Sequence, residues 1–217
     1  MEAIYEALYI NNDAEYLFDI VDGEACINKI AFKRGILKSV KIPDEVQHNG
    51  MIYPVTRISG RKVKTSPKDA IYVTDRRRKD YGSLISFSGE YNYREVNLFY
   101  DGSTLMPCYG EVETVILPKY LREIGDYTFK ECVSLKHVKI NSSLEVIGEF
   151  AFEGCKALKE LTLPSSVKKI GNFCFSQSSV ALKIQNKPGT VEFDMYALDS
   201  DDSVKYIGKS LFARLFK

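Results

Sequence analysis

A repeat of fixed length runs through the second half of this chain, and it constrains the fold more than any other feature. Ile124, Ile147 and Ile170 follow one another at intervals of 23 residues. Gly125, Gly148 and Gly171 keep the same step, as do Phe129, Phe152 and Phe175. The register begins at Val112, Val115 and Leu117, which precede Leu135, Val138 and Ile140 by the same 23 residues. A constant period in the twenties with apolar anchors predicts a solenoid, in which each unit buries its hydrophobic face only against its neighbours.

Each position of the unit has a physical role. In KHVKI and KELTL, Val138 and Ile140, then Leu161 and Leu163, alternate with polar residues, the pattern of a strand with one face buried. Pro164 ends the second of these strands because it has no N–H to give the ladder. The Ile-Gly pair that follows permits a turn or a close approach of the next coil. In EFAFEGC, Phe150, Ala151 and Phe152 are expected to fill the inside of the coil. Cys132 and Cys155 read as small buried packing residues.

With those residues in view, IGEFAFEGCKALKELTLPSSVKKIG resembles the repeat of the BspA-like, or type-5, leucine-rich repeat proteins. The shared features are Ile-Gly, Phe, Cys, Leu, a strand, then Pro-Ser-Ser-Val and Ile-Gly again. No Asn ladder of the commoner leucine-rich pattern follows the strand. The resemblance is clear over residues 111–184. It implies an α/β leucine-rich-repeat solenoid, a curved right-handed coil stack with a parallel sheet on one face. The other face would be β-rich with short helices or turns. It also implies a non-catalytic protein-binding, scaffold or adhesion role, with no catalytic residue carried over.

Composition narrows the function classes. The 217 residues carry a formal net charge of +1, so no global field draws in nucleic acid or an anionic membrane. Five cysteines, an odd number, argue against a fully paired disulfide framework. The first residues show no basic region followed by an apolar one, and no apolar run reaches the ~18 residues that span a bilayer. The protein is expected in the cytoplasm if Met1 is the native start, and at the cell surface or secreted if a signal peptide has been removed.

Taken in order, the chain reads as one solenoid domain over residues 1–217. Residues 1–60 form an N-terminal cap and first coil. A short helix is expected over EAIYEALYI, then two strands, EYLFDI and GEACINKIAF, joined at Asp22-Gly23. SVKIP places Val40 and Ile42 where Leu161 and Leu163 stand later, and Ile58 echoes the repeat isoleucine. Residues 61–110 form irregular or inserted coils, with REVNLFY and STLMPC as a β-hairpin or Val96 and Leu98 as a degenerate coil. Residues 111–190 hold the regular repeats, and 191–217 a C-terminal cap. In that cap SDDS at 200–203 reads as a polar turn and helix start, and Ile207, Gly208 and Phe212 return the repeat signature.

Nothing in the chain marks a cofactor or metal. His48 and His137 lack metal-ligand spacing, and the cysteines form no CxxC pair. A dyad of Cys132 or Cys155 with His137 would need an accessible thiol of lowered pKa, whereas the repeat puts these sulfurs inside. The Arg76-Arg77-Arg78-Lys79 run reads as a solvated turn. The candidate site is the outer face of the strands. If Val138 and Ile140 point inward, alternation sends His137 and Lys139 outward, with Thr114 and Ile116 one coil earlier and Glu160 and Thr162 one coil later. Ile116 is the apolar member of an otherwise polar face, so a protein partner is expected there. The alternative is recognition of a carbohydrate or cell-wall glycan by the tyrosines of 72–109.

Overall fold

The computed structural model describes residues 3–32, 38–59, 61–65, 92–96, 99–100, 112–199 and 204–207. The chain opens on an antiparallel meander of β1 (Ile4–Ile10), β2 (Ala14–Val21) and β3 (Glu24–Phe32). The first of these corrects the expected helix. Its isoleucines and tyrosines suit a pleated surface, and Asn11 closes the connection by accepting the amides of Asp13 and Ala14, each at 2.9 Å. Asp22 and Gly23 take φ of 54° and 79°, the left-handed pair that a two-residue hairpin requires, as expected for that dipeptide.

Next come β4 (Ser39–Lys41), β5 (Glu45–His48) and β6 (Met51–Ile58). The last two form a second hairpin through Asn49 and Gly50. Strands β7 (Arg61–Thr65) and β8 (Asn92–Val96) pair with each other antiparallel, and β9 (Phe99–Tyr100) runs parallel to β3. Residues 92–96 thus pair with 61–65; the hairpin partner expected for 94–100, residues 103–108, lies outside the described residues, as does Leu98.

The regular coils follow. Each runs from a front strand to a two-residue rear strand, then through a corner of turns to the next front strand. Front and rear alternate as β10 (Thr114–Ile116), β11 (Glu123–Ile124), β12 (His137–Lys139), β13 (Val146–Ile147), β14 (Glu160–Leu163), β15 (Lys169–Ile170), β16 (Ala181–Ile184), β17 (Glu192–Phe193) and β18 (Val204–Tyr206). The rear strands continue the N-terminal meander into one sheet of order β1-β2-β3-β6-β11-β13-β15-β17. In that sheet Ile27, Ile58, Ile124, Ile147, Ile170 and Phe193 stand in one buried or half-buried row. The echo heard at Ile58 is therefore its structural place. The corners are turns, with no helix among the described residues.

Two aromatic columns run along the corner. Phe129, Phe152 and Phe175 are buried and stack at 5.0 and 5.3 Å. Outside them Tyr127, Phe150, Phe173 and Tyr196 stack at 5.1, 5.2 and 5.3 Å. Phe150 therefore does not fill the coil interior beside Ala151 and Phe152. It is half-buried on the corner, because a φ of 54° turns its side chain outward. The glycine column marks the closest approach of the coils: a Cβ on Gly148 would lie 2.6 Å from the Asp126 nitrogen and 2.7 Å from the Gly125 carbonyl carbon.

Ile207 does not occupy the place of Ile170. Its amide donates to the Ile184 carbonyl at 2.7 Å, directly after β18 on the front face. Gly208, Phe212 and the 200–203 turn lie outside the described residues.

Candidate partner-binding face

The front strands carry the expected columns in register. Parallel pairing sets Ser39 beside Thr114 and Thr114 beside His137, with Lys41 beside Ile116 and Ile116 beside Lys139. Val40 and Val115 are buried between these outward residues. Glu113, at the edge of the face, sits between Lys136 at 2.9 Å and Lys38 at 3.3 Å. Hydrogen bonds from Lys136 and then Lys38 hold its carboxyl below the usual range.

After β12 the face breaks. β4, β10 and β12 form one three-stranded sheet, and β14, β16 and β18 form another. No strand pairing joins β12 to β14, although the sequence period crosses the break unchanged. Each border strand is held away from the break. The Leu117 amide donates to the Lys139 carbonyl at 3.1 Å, and the Asn141 side-chain amide reaches back to the Pro118 carbonyl. On the other side Glu160 pairs with Lys183 at 2.5 Å, drawing β14 toward β16. The coil between those two strands is also shorter, since Glu160 is matched with Ala181.

The break is a cleft of about 510 Å³ whose lining includes Thr114, Ile116, His137, Lys139, Glu160 and Thr162. All six sequence-derived residues are thus gathered around one depression. Val138 and Ile140, expected to point into the coil, also line it and are only half-buried, since no strand beyond β12 covers them. Asn141 and Pro164 complete the ends. Sequence reasoning missed these because periodicity records which way a side chain points and not whether two neighbouring strands bond. Ile116 is half-buried in the cleft wall.

The backbone adds polar character. His137 and Lys139 turn their main-chain groups toward β10, as the His137 amide on the Glu113 carbonyl at 3.1 Å shows. Ladder alternation then turns those of Val138 toward β14. By the same count Glu160 and Thr162 turn theirs toward β12, since Ala181 and Gln185 take the carbonyls of Lys159 and Leu163. No ladder bond connects the two rows.

No cysteine is among the residues that line the cleft. Cys132, Cys155 and Cys174 are buried free thiols, and the Cys155 sulfur donates to the Phe129 carbonyl at 3.1 Å. Burial pushes the Cys155 thiol up to about 12, and the Cys174 thiol well above its usual value. With His137 exposed on the front face, no Cys–His dyad forms with Cys132 or Cys155. Among the described residues no group of three or more His, Cys, Asp or Glu could hold a metal ion. Among them, too, no helix is long and apolar enough to cross a membrane. The Arg76–Lys79 run lies outside the described residues, and the side chains of the 72–109 tyrosines are not among those described.

The sequence model of the BspA-type leucine-rich repeat region matches in six copies over residues 103–214. A leucine-rich repeat protein from Bacteroides capillosus is similar in structure, with a TM-score of 0.55 and 23% identity over 94% of this chain and 100% of that one. A second, from Bacteroides ovatus, gives 0.50 and 19% over 94% of this chain and 44% of its own. At these identities the likeness shows the fold. No curated protein matches significantly.

Proposed function

This chain belongs to the BspA-type leucine-rich repeat family, and from that premise we propose that it is a non-catalytic module that binds a protein partner across its front face. The observation that carries the reading is the cleft where the front sheet divides, lined by Ile116, His137, Lys139 and Glu160 together. A continuous sheet would offer a flat face. The division supplies concavity, and Ile116, Val138 and Ile140 supply apolar area that a partner can desolvate.

The test compares proteins retained from the native host by the wild-type chain and by an Ile116→Glu/His137→Ala variant of unchanged melting temperature. A partner retained by the first and lost by the second supports the reading. A partner retained equally by both would move the contact off this face.

A further inference from the structure

We infer that the cleft between β12 and β14 receives an acidic segment of the partner, one carboxylate side chain entering beside Lys139 while its aliphatic neighbours rest on Ile116 and Ile140. The inference rests on the reading that this face binds protein, and it specifies the chemistry of what is bound.

Charge is the first support. Most other charges around the cleft are matched: Lys41 with Asp44 at 3.9 Å, Lys38 and Lys136 with Glu113, and Glu160 with Lys183, while Lys159 gives its ammonium to the Lys156 carbonyl at 3.0 Å. Lys139 has no carboxylate partner among the described residues, and it is exposed on the cleft wall. Glu160 does not repel an incoming carboxylate strongly, because Lys183 holds its charge at 2.5 Å.

The backbone is the second. The Val138 amide on one side and those of Glu160 and Thr162 on the other face the break with no ladder partner. The carbonyls of the same residues face it too. These main-chain donors and acceptors together suit the backbone of an extended segment, and Lys139 supplies the preference for a carboxylate side chain. Size is the third: about 510 Å³ lies within the ~300–1,000 Å³ of ordinary ligand pockets and holds a few side chains. Half-buried Ile116 and Ile140 give the aliphatic neighbours a surface.

The experiment selects short random peptides on the immobilised full chain, then measures the best acidic peptide and its Glu→Gln counterpart in solution. Enrichment of a carboxylate flanked by aliphatic residues is expected, with about tenfold weaker binding of the amide peptide, as for loss of one charge-assisted bond. Lys139→Glu should abolish that discrimination, and Lys156→Glu, an exposed charge reversal in the turn after Gly154, should preserve it. Peptides without acidic enrichment would overturn the inference, as would acid preference undiminished in Lys139→Glu. Displacement of the peptide by heparin or polyuridylate as readily as by itself would also overturn it, showing attraction to charge alone. Loss of native-partner binding in the Ile116→Glu/His137→Ala variant, with acid preference unchanged in Lys139→Glu, would leave the protein-binding reading standing while this one falls.

Discussion

Single residues fix how closely the coils approach. Gly148 touches the backbone of the preceding coil, which cannot retreat without breaking the Gly148 amide bond to the Ile124 carbonyl at 2.7 Å. Gly148→Ala is expected to destabilise by about 1–3 kcal/mol, as overpacking does, measured by denaturant unfolding. The thiols make a pH-dependent prediction. Burial raises the Cys155 pKa from 9.0 to about 12, so the folded state holds a proton that the unfolded chain releases. The stability linked to that proton is complete below the unfolded value and is lost as pH rises through this interval. Tyr and Lys titrate there too, so the informative quantity is a difference. The unfolding midpoint of wild type should fall more steeply with rising pH than that of Cys155→Ala, and parallel curves would count against a buried protonated thiol.

At the scale of the element, the corner behaves unlike a helix or strand. Phe152 lies stacked between Phe129 and Phe175 with no exposure, so Phe152→Ala should cost about 3–5 kcal/mol in denaturant unfolding. Outside it, Tyr127, Phe150, Phe173 and Tyr196 all hold φ between 52° and 58°. A side chain in that region costs about 1–2 kcal/mol, offset here by ring stacking and by the amide bond to the next coil. At Phe150, Gly should therefore be tolerated better than Ala by about 1 kcal/mol, the reverse of their helical ranking. Equal unfolding midpoints for the two variants would show the strain to be absent. Little of this corner was legible in the sequence. The 23-residue spacing located Phe150 as surely as Phe152, but an aromatic residue gives no sign that its backbone is left-handed. The front columns were legible, because alternation and the strand-Pro signature fix register from Ser39 through Thr114 to His137. At Ile4–Ile10 the apolar spacing suited a helix on one side, and pairing with β2 decided for a strand.

Across the whole molecule, the divided front face predicts uneven protection. The Val138 and Thr162 amides face the cleft, while the Leu117 amide is held on the Lys139 carbonyl. Hydrogen exchange should be faster at Val138 and Thr162 than at Leu117, and equal protection would mean that the ladder closes in solution. The corner, by contrast, is continuous, and the amides of its tight turns donate from each coil to the next. Tyr127, Phe129 and Glu131 donate to Glu149, Ala151 and Glu153; Phe150, Phe152 and Gly154 donate in turn to Asn172, Cys174 and Ser176. Every coil is thus a plug toward its successor and a socket toward its predecessor. Such a stack has a growth direction: it can be lengthened by a whole unit in the same sense, and neither a reversed unit nor a fractional one will seat. Duplicating residues 141–163 should therefore give a longer chain that still unfolds cooperatively, whereas duplicating half that stretch should leave donors facing donors.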